Sequence, residues 1–232
     1  MKQVIDYIKK YFTTWWISLS INLIVVGIFA IGGYFERDWI IDLGLLIFYL
    51  NIIGTVISSI VQIVIRKWYF IIPQLGITGF LLFYVSLIFT LSPPDYYGVH
   101  KEIPDNIHFD EPLSEKPTKN QLDNYDLILS HSVQPGIYSY YTDYSPKENG
   151  FFYIKAFEIT SNDRLSENRM KEKSKIQIDK RREVIFEGEF TIYEGSWGDK
   201  YGSRIELWFQ PSNEKEEYKI TERNYIVEGW MR

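Results

Sequence analysis

The chain contains no cysteine and only three histidines among its 232 residues. Without cysteine it has no disulfides, no thiol catalysis and no thiolate metal site. The histidines, at His100, His108 and His131, are scattered and lack the spacing of residues that share a metal ion. A glycine-rich phosphate loop and a serine-nucleophile motif are also missing. We therefore predict no catalytic, cofactor-binding or metal-binding residues, and we favour a protein that is not an enzyme.

Basic residues are also fewer than acidic residues. The chain has 25 basic and 30 acidic residues, for a formal net charge of −5. Proteins that bind nucleic acid draw much of their affinity from lysine and arginine side chains that neutralise phosphates. The balance of charge therefore predicts no nucleic-acid partner.

Long apolar runs, in contrast, fill residues 17–91. They cover residues 17–35, 39–65 and 69–91, and only short polar breaks separate them. A helix rises 1.5 Å per residue, so about 20 apolar residues cross a hydrocarbon core of about 30 Å. The runs predict three transmembrane helices, with the lipid bilayer as partner.

The basic residues around these runs predict an orientation. Residues 1–16 carry Lys2, Lys9 and Lys10 against a single acid, and the second break is basic. The first break, residues 36–38, is net acidic. Because cytoplasmic loops are enriched in lysine and arginine, residues 1–16 should form a cytoplasmic flank. After three crossings of the plasma (inner) membrane, the C-terminal part should be periplasmic or extracellular.

The second run carries a polar stripe at spacings of four, three and four residues, which is formed by Asn51, Thr55, Ser58 and Gln62. Such spacing puts the four side chains on one helical face. We favour hydrogen bonding between helices, because polar side chains in lipid seek partners on neighbouring helices. The alternative is a path for an ion or small solute. Such paths usually involve an ionisable group or a broken helix in mid-membrane, and neither is evident here.

Residues 92–120 are rich in proline and acidic residues. Proline cannot donate to a strand ladder and restricts the residue before it to extended backbone. We interpret this segment as a linker. It either acts as a semi-rigid spacer or lies along the surface of the domain that follows.

Residues 121–232 show short alternating runs between turn signals, which predicts an all-β domain, an antiparallel sandwich or jelly roll. A polar stretch at 165–173 predicts one short helix, with Ser166 as its cap. The predicted strands are residues 126–130, 137–141, 151–159, 175–178, 183–186, 190–193, 204–209 and 218–230.

Aromatic residues are the most suggestive feature of this domain. We single out Trp197, Tyr201, Trp208 and Trp230 as candidates for binding a protein partner or a glycan. The structural alternative is that these large side chains pack in the core or at a sheet edge. Glutamates on the predicted strands are more often solvent-facing than catalytic. They are Glu158, Glu189, Glu194, Glu206 and Glu228.

These observations favour a membrane-anchored protein that displays an extracytoplasmic β-domain for binding or assembly. One alternative is a cell-surface module that binds or cleaves glycans. A second is a subunit of a membrane transport complex.

Overall fold

A computed structural model describes residues 2–122, 127–178, 185–212 and 215–231. The chain divides into two compact units, a helical unit that runs to Pro94 and a β-rich unit from Asp95 to Met231. Each unit has its own packing.

The helical unit contains three helices that are long and apolar enough to span a membrane. Their positions agree with the predicted spans to within about two residues at most boundaries. A helix that was not predicted lies within the flank of residues 1–16. The elements are α1 (Lys2–Thr13), α2 (Trp15–Tyr34), α3 (Asp38–Val64), a 3-10 turn (Trp68–Phe70) and α4 (Ile71–Leu91).

Two left-handed residues end the first two long helices. Glu36 follows α2 with φ 52°, and Arg66 follows α3 with φ 61°. Beyond them, the amide of Arg37 donates to the Gly32 carbonyl, and that of Lys67 donates to the Gln62 carbonyl. These bonds satisfy carbonyls that a helix end otherwise leaves open, and they allow a tight reversal of the chain.

The β-rich unit contains two antiparallel sheets and two short helices among its described residues. The helices are α5 (Lys119–Leu122) and α6 (Glu167–Lys173). The strands are β1 (Ile128–His131), β2 (Ile137–Thr142), β3 (Gly150–Glu158), β4 (Arg164–Leu165), β5 (Ile176–Ile178), β6 (Phe186–Thr191), β7 (Tyr201–Pro211) and β8 (Tyr218–Val227). One sheet has the order β1-β2-β6, and the other has the order β4-β3-β7-β8, with β5 also paired to β3.

Both sheets contribute to one hydrophobic core. Leu129 and Tyr140 come from the smaller sheet, while Phe152, Ile205 and Phe209 come from the larger one, and all five are essentially inaccessible to solvent. Alternate residues of β3 and β7 point into this core, so the remaining residues of these strands form an opposite face. That outer face carries Lys155 of β3 and Trp208 of β7.

Three local features differ from the predictions. Strand β6 runs through the gap between the predicted strands 183–186 and 190–193, because Gly188 leaves space for the ring of Tyr140 on the neighbouring strand. Strand β8 ends at Val227, before the end of the predicted strand 218–230. Ser166 precedes α6 as predicted, but it adopts a left-handed conformation and its hydroxyl bonds to Glu194 instead of capping the helix. Residues 126, 183 and 184 of the predicted strands lie outside the described residues.

The proline- and acid-rich segment lies along the β-rich unit. Asp110 forms a parallel bridge with Tyr225 of β8, and Leu113 forms one with Ser130 of β1. Nearer the start of the unit, Asp95 accepts a hydrogen bond from the amide of Gly195. The second of the two alternatives raised for this segment therefore applies from Asp95 onward.

Candidate functional site

The interior of the helical unit contains a hydrogen-bonded polar network centred on Asn51 of α3. The Asn51 amide nitrogen donates to the Ser18 carbonyl and to Asn22 Oδ1 of α2, each at 2.8 Å. Its oxygen accepts a hydrogen bond from the hydroxyl of Tyr11 on α1, also at 2.8 Å. One side chain therefore joins three helices.

A second amide extends the network to α4. Gln62 Nε2 donates to Gln74 Oε1 at 2.7 Å, and Gln74 Nε2 donates to Ser18 Oγ at 3.0 Å. Asn22 makes a longer contact of 3.4 Å with the Thr78 hydroxyl. Alternating donors and acceptors thus link α2, α3 and α4 in their interior.

All four residues of the predicted stripe are buried. Asn51 is 4% exposed, and Thr55, Ser58 and Gln62 have no exposed area. Thr55 bonds to the carbonyl of Asn51, while Ser58 reaches the carbonyl of Phe12 at the end of α1. The stripe and its partners contain neutral amides and hydroxyls only. Their chemistry is therefore that of helix association, where such bonds contribute about 0.6 kcal/mol each and at most about 2 kcal/mol.

Sequence reasoning missed three partners in this network, namely Tyr11, Gln74 and Thr78. Gln74 and Thr78 are four residues apart within the third apolar run, which is the same helical spacing as in the stripe. That signal was available in the sequence. Tyr11 was assigned to a flank, and its role depends on the close approach of α1 to Gly54, where any larger side chain would overlap the Tyr11 ring.

The four predicted aromatic residues have different environments. Tyr201 has no exposed area and packs edge-on against Tyr97, so its ring belongs to the core. Trp230 is half-buried, and its indole nitrogen donates to Gln134. Trp197 is 46% exposed in the loop before β7. Trp208 is half-buried on the outer face of the larger sheet.

Trp208 belongs to a cluster of cations and aromatic rings on this outer face. Lys155 Nζ lies 3.4 Å from the centre of the Trp208 ring, and Lys171 Nζ lies 4.4 Å from that of Tyr153. Lys175 covers Phe151 at 3.7 Å. Cations over ring faces are attracted by the electron-rich π system. The lysines therefore have fixed positions on an aromatic layer.

Two of these lysines converge on one carboxylate. Lys155 donates to Glu217 at 2.7 Å, and Lys171 donates to the other oxygen of Glu217 at 2.8 Å. Burial alone would raise the pKa of Glu217, but the hydrogen bonds from Lys155 and Lys171 outweigh it and lower the pKa to about 2. We call Lys155 and Lys171 the lysine pair. The pair holds the two oxygens of the Glu217 carboxylate.

Glu158 is the most buried carboxylate of the β-rich unit that the structure describes, with no exposed area. It accepts hydrogen bonds from the amides and hydroxyls of Thr160 and Ser161, at 2.6 to 3.0 Å. Burial raises the pKa of Glu158, yet these bonds outweigh it and hold the pKa at about 2. Lys101 lies 3.6 Å away. The side chain fixes the turn after β3 and the segment that contains Lys101.

The other strand glutamates also have their own donors. Glu206 is only 5% exposed and accepts a hydrogen bond from Trp208, so neither it nor Glu158 is the solvent-facing residue that the sequence suggested. Glu189 and Glu194 bond to serine hydroxyls, and Glu228 accepts from the amide of Gly198. Within the described ranges, no group of three or more His, Cys, Asp or Glu side chains is arranged to hold a metal ion.

Comparison with known proteins gave no match to a family model, to a curated protein or to a solved structure.

Proposed function

We propose that the chain is an integral membrane protein in which the helical unit is a passive anchor and the β-rich unit, a two-sheet sandwich, is an extracytoplasmic binding module. The buried network of Asn51 and Gln62 is the observation that carries this proposal. The amide nitrogens of both residues donate to groups on neighbouring helices, and the Asn51 oxygen accepts from Tyr11, while Gln62 Oε1 is buried without a partner among the described residues. A solute path would require polar groups that face an open passage, and these groups face one another.

Charge supports one orientation of the anchor. Lys2, Lys9 and Lys10 precede the first span, and Arg66 and Lys67 separate the second from the third. By the positive-inside rule both stretches are cytoplasmic, which places the β-rich unit on the outer side. The chain has no native cysteine, so single cysteines can report this directly. A cysteine at Val133, which is 86% exposed, should react with an impermeant maleimide added to whole cells.

For the binding surface we propose the lysine pair and its aromatic layer, with an acidic segment of a protein as the partner. Glu217 supports the choice of ligand chemistry, because its carboxylate is the group that Lys155 and Lys171 hold. Tryptophan and tyrosine are enriched among the residues that contribute most to binding energy in protein interfaces. A partner carboxylate would take the place of Glu217 or lie beside it.

Two details make a protein partner the better choice over a glycan. Sugar rings stack on open aromatic faces, but Lys155 covers a face of Trp208. Tyr201, the candidate closest to Trp197 in the sequence, is buried in the core and offers no open face. Glycan binding is the alternative outcome that the binding experiment distinguishes.

Binding to full-length protein in lipid nanodiscs tests the proposal. The probes are poly-L-glutamate, the carboxylated polysaccharide polygalacturonate and the neutral polymer dextran, followed by biolayer interferometry. We expect saturable binding of poly-L-glutamate that weakens about tenfold in Lys155→Gln and Lys171→Gln, the loss of roughly 1.4 kcal/mol of charge-assisted hydrogen bonding.

The matched control is Lys173→Gln, which removes an exposed lysine from the same helix as Lys171. Glu217→Gln should strengthen binding, because the competing internal carboxylate is lost. Equal weakening by all three lysine variants would mean that binding depends only on net charge. That result would refute the site. Binding of polygalacturonate and not of poly-L-glutamate would replace the protein partner with a glycan.

A further inference from the structure

Helix α1 is strongly amphipathic. At 3.6 residues per turn, its apolar and charged residues separate onto opposite sides. The apolar side consists of Val4, Ile5, Tyr7, Ile8, Tyr11 and Phe12, and the polar side includes Lys2, Asp6, Lys9 and Lys10.

Most of the apolar side of α1 is open in the helical unit. Val4, Ile5 and Ile8 are 60%, 57% and 52% exposed, and Tyr7 is 74% exposed. The C-terminal end is held by the hydrogen bond from Tyr11 to Asn51 and by the one from Ser58 to the Phe12 carbonyl. Among the described residues of the helical unit, none covers the exposed part of this apolar side.

The position of α1 in the chain identifies that cover. Its 12 residues give a length of about 18 Å, which is too short for a hydrocarbon core of about 30 Å. The extended backbone of Thr14 (φ −117°, ψ 101°) separates it from α2, the first candidate span. Tyr11 on the apolar side also contacts Asn51 and Gly54 of α3, and the residues that precede these two in the chain, Leu50 and Ile53, are about 60% exposed. The same lipid that surrounds α3 would cover α1.

We infer that α1 lies in the headgroup region of one leaflet and binds anionic lipid headgroups through Lys2, Lys9 and Lys10. Three lysines against one aspartate give the polar side a net positive charge. Basic amphipathic helices bury their apolar side at the level where headgroups meet acyl chains and attract anionic lipids. This inference rests on the proposed membrane insertion of the helical unit.

Single cysteines in the full-length protein test the position of α1. An environment-sensitive fluorophore is attached at Ile5→Cys, Lys9→Cys, Leu50→Cys or Val133→Cys, and the protein is reconstituted in phosphatidylcholine vesicles that contain one quarter phosphatidylglycerol. We expect blue-shifted emission at residues 5 and 50, with the larger shift at residue 50 in the middle of α3, and an aqueous emission at residues 9 and 133.

The label at residue 50 separates two failures. An aqueous signal at residue 50 would overturn the proposed membrane insertion itself. A lipid signal at residue 50 with an aqueous signal at residue 5 would overturn only the inference about α1. A lipid signal at both residue 5 and residue 9 would also overturn the inference about α1, because an interfacial helix keeps its charged side in water.

Lipid selectivity tests the role of the lysines. Dibrominated phosphatidylglycerol or dibrominated phosphatidylcholine is used to quench the fluorophore at residue 5. We expect quenching to show a preference of at least about fivefold for phosphatidylglycerol, the effect of one lysine at an anionic surface. The preference should approach one in the variant Lys2→Gln/Lys9→Gln/Lys10→Gln and at 1 M salt.

The control is Lys173→Gln, in the β-rich unit, which should retain the full preference. Equal quenching by the two lipids in the unmodified helix would refute lipid recognition by the lysines. A preference that survives the triple substitution would assign it to another part of the chain and would overturn the inference as well.

Discussion

Replacing Glu158 with glutamine should destabilise the β-rich unit far more than its small chemical change suggests. The carboxylate has no exposed area, and four donors from Thr160 and Ser161 point at its two oxygens. A glutamine side chain has one acceptor oxygen, and its NH2 group would face donors. Buried donors without an acceptor are costly.

The expected loss follows from the pKa. In the folded protein the pKa of Glu158 lies at about 2, against an ordinary value of 4.5. Each pKa unit corresponds to about 1.4 kcal/mol, so the ionised carboxylate contributes about 3 kcal/mol to the free energy of unfolding. With a urea m-value of about 1–3 kcal/mol per M, the unfolding midpoint should fall by roughly 1–3 M.

A urea titration measures the unfolding midpoint in the full-length protein in mild detergent. Brief proteolysis at each urea concentration degrades the unfolded protein, and a C-terminal tag reports how much of the β-rich unit stays intact. The control is Glu167→Gln, whose side chain is 60% exposed and pairs with Arg164 at the surface. We expect its midpoint to change little, since exposed ion pairs contribute 0–1 kcal/mol. A Glu158→Gln midpoint equal to that of the control would refute the assigned hydrogen bonding.

The same pair of proteins gives a pH dependence with a definite sign. Because folding lowers the pKa of Glu158, its contribution is complete above about pH 4.5 and is lost as the pH falls toward 2. The stability gap between the unmodified protein and Glu158→Gln should therefore narrow between pH 4.5 and pH 2, measured with pepsin as the protease. A gap of constant size across this range would contradict the assignment.

Three further substitutions test the packing of each unit. Asn51→Leu removes three hydrogen bonds and should lower the stability of the helical unit by about 2 kcal/mol in an SDS titration. The control Ile53→Leu, at an exposed position of the same helix, should have little effect. Equal stability of the two variants would argue against a structural role of the network. Gly54→Leu would overlap Tyr11 and should move the fluorophore at residue 5 to a different emission, without loss of the long helices by circular dichroism. Gly136→Ala places a side chain at φ +79° against the backbone of Trp230, and we expect a loss of at least about 1–3 kcal/mol in the urea assay; an unchanged midpoint would contradict this close approach.

Much of the helical unit could be predicted because its signal is local. Length and hydropathy defined the three long helices, and the spacing of Asn51, Thr55, Ser58 and Gln62 identified a polar face. The hydrogen-bond partners of this polar face, in contrast, could not be predicted from nearby sequence. Tyr11 and Gln74 lie on other helices, and only the packing of α1, α3 and α4 brings their polar atoms to Asn51 and Gln62.

In the β-rich unit, too, local pattern predicted the strands but not the surroundings of individual side chains. Alternation in the sequence predicted most of its strands, and in one of them Ile205, Leu207 and Phe209 lie on the face that the core buries. It could not distinguish Tyr201 in the core from Trp208 under a lysine, because both are aromatic and their burial depends on the neighbouring strands.

The sequence by itself determined the apolar helices, the strand-rich C-terminal part and the absence of thiol chemistry. Periodicity, length and composition act over a few residues and need no partner. The tertiary structure decided that Glu158 is a buried structural carboxylate, and it brought Lys155, Lys171 and Glu217 together from a strand, a helix and a loop. Strand pairing and side-chain contacts join residues far apart in the chain, so local pattern cannot specify them.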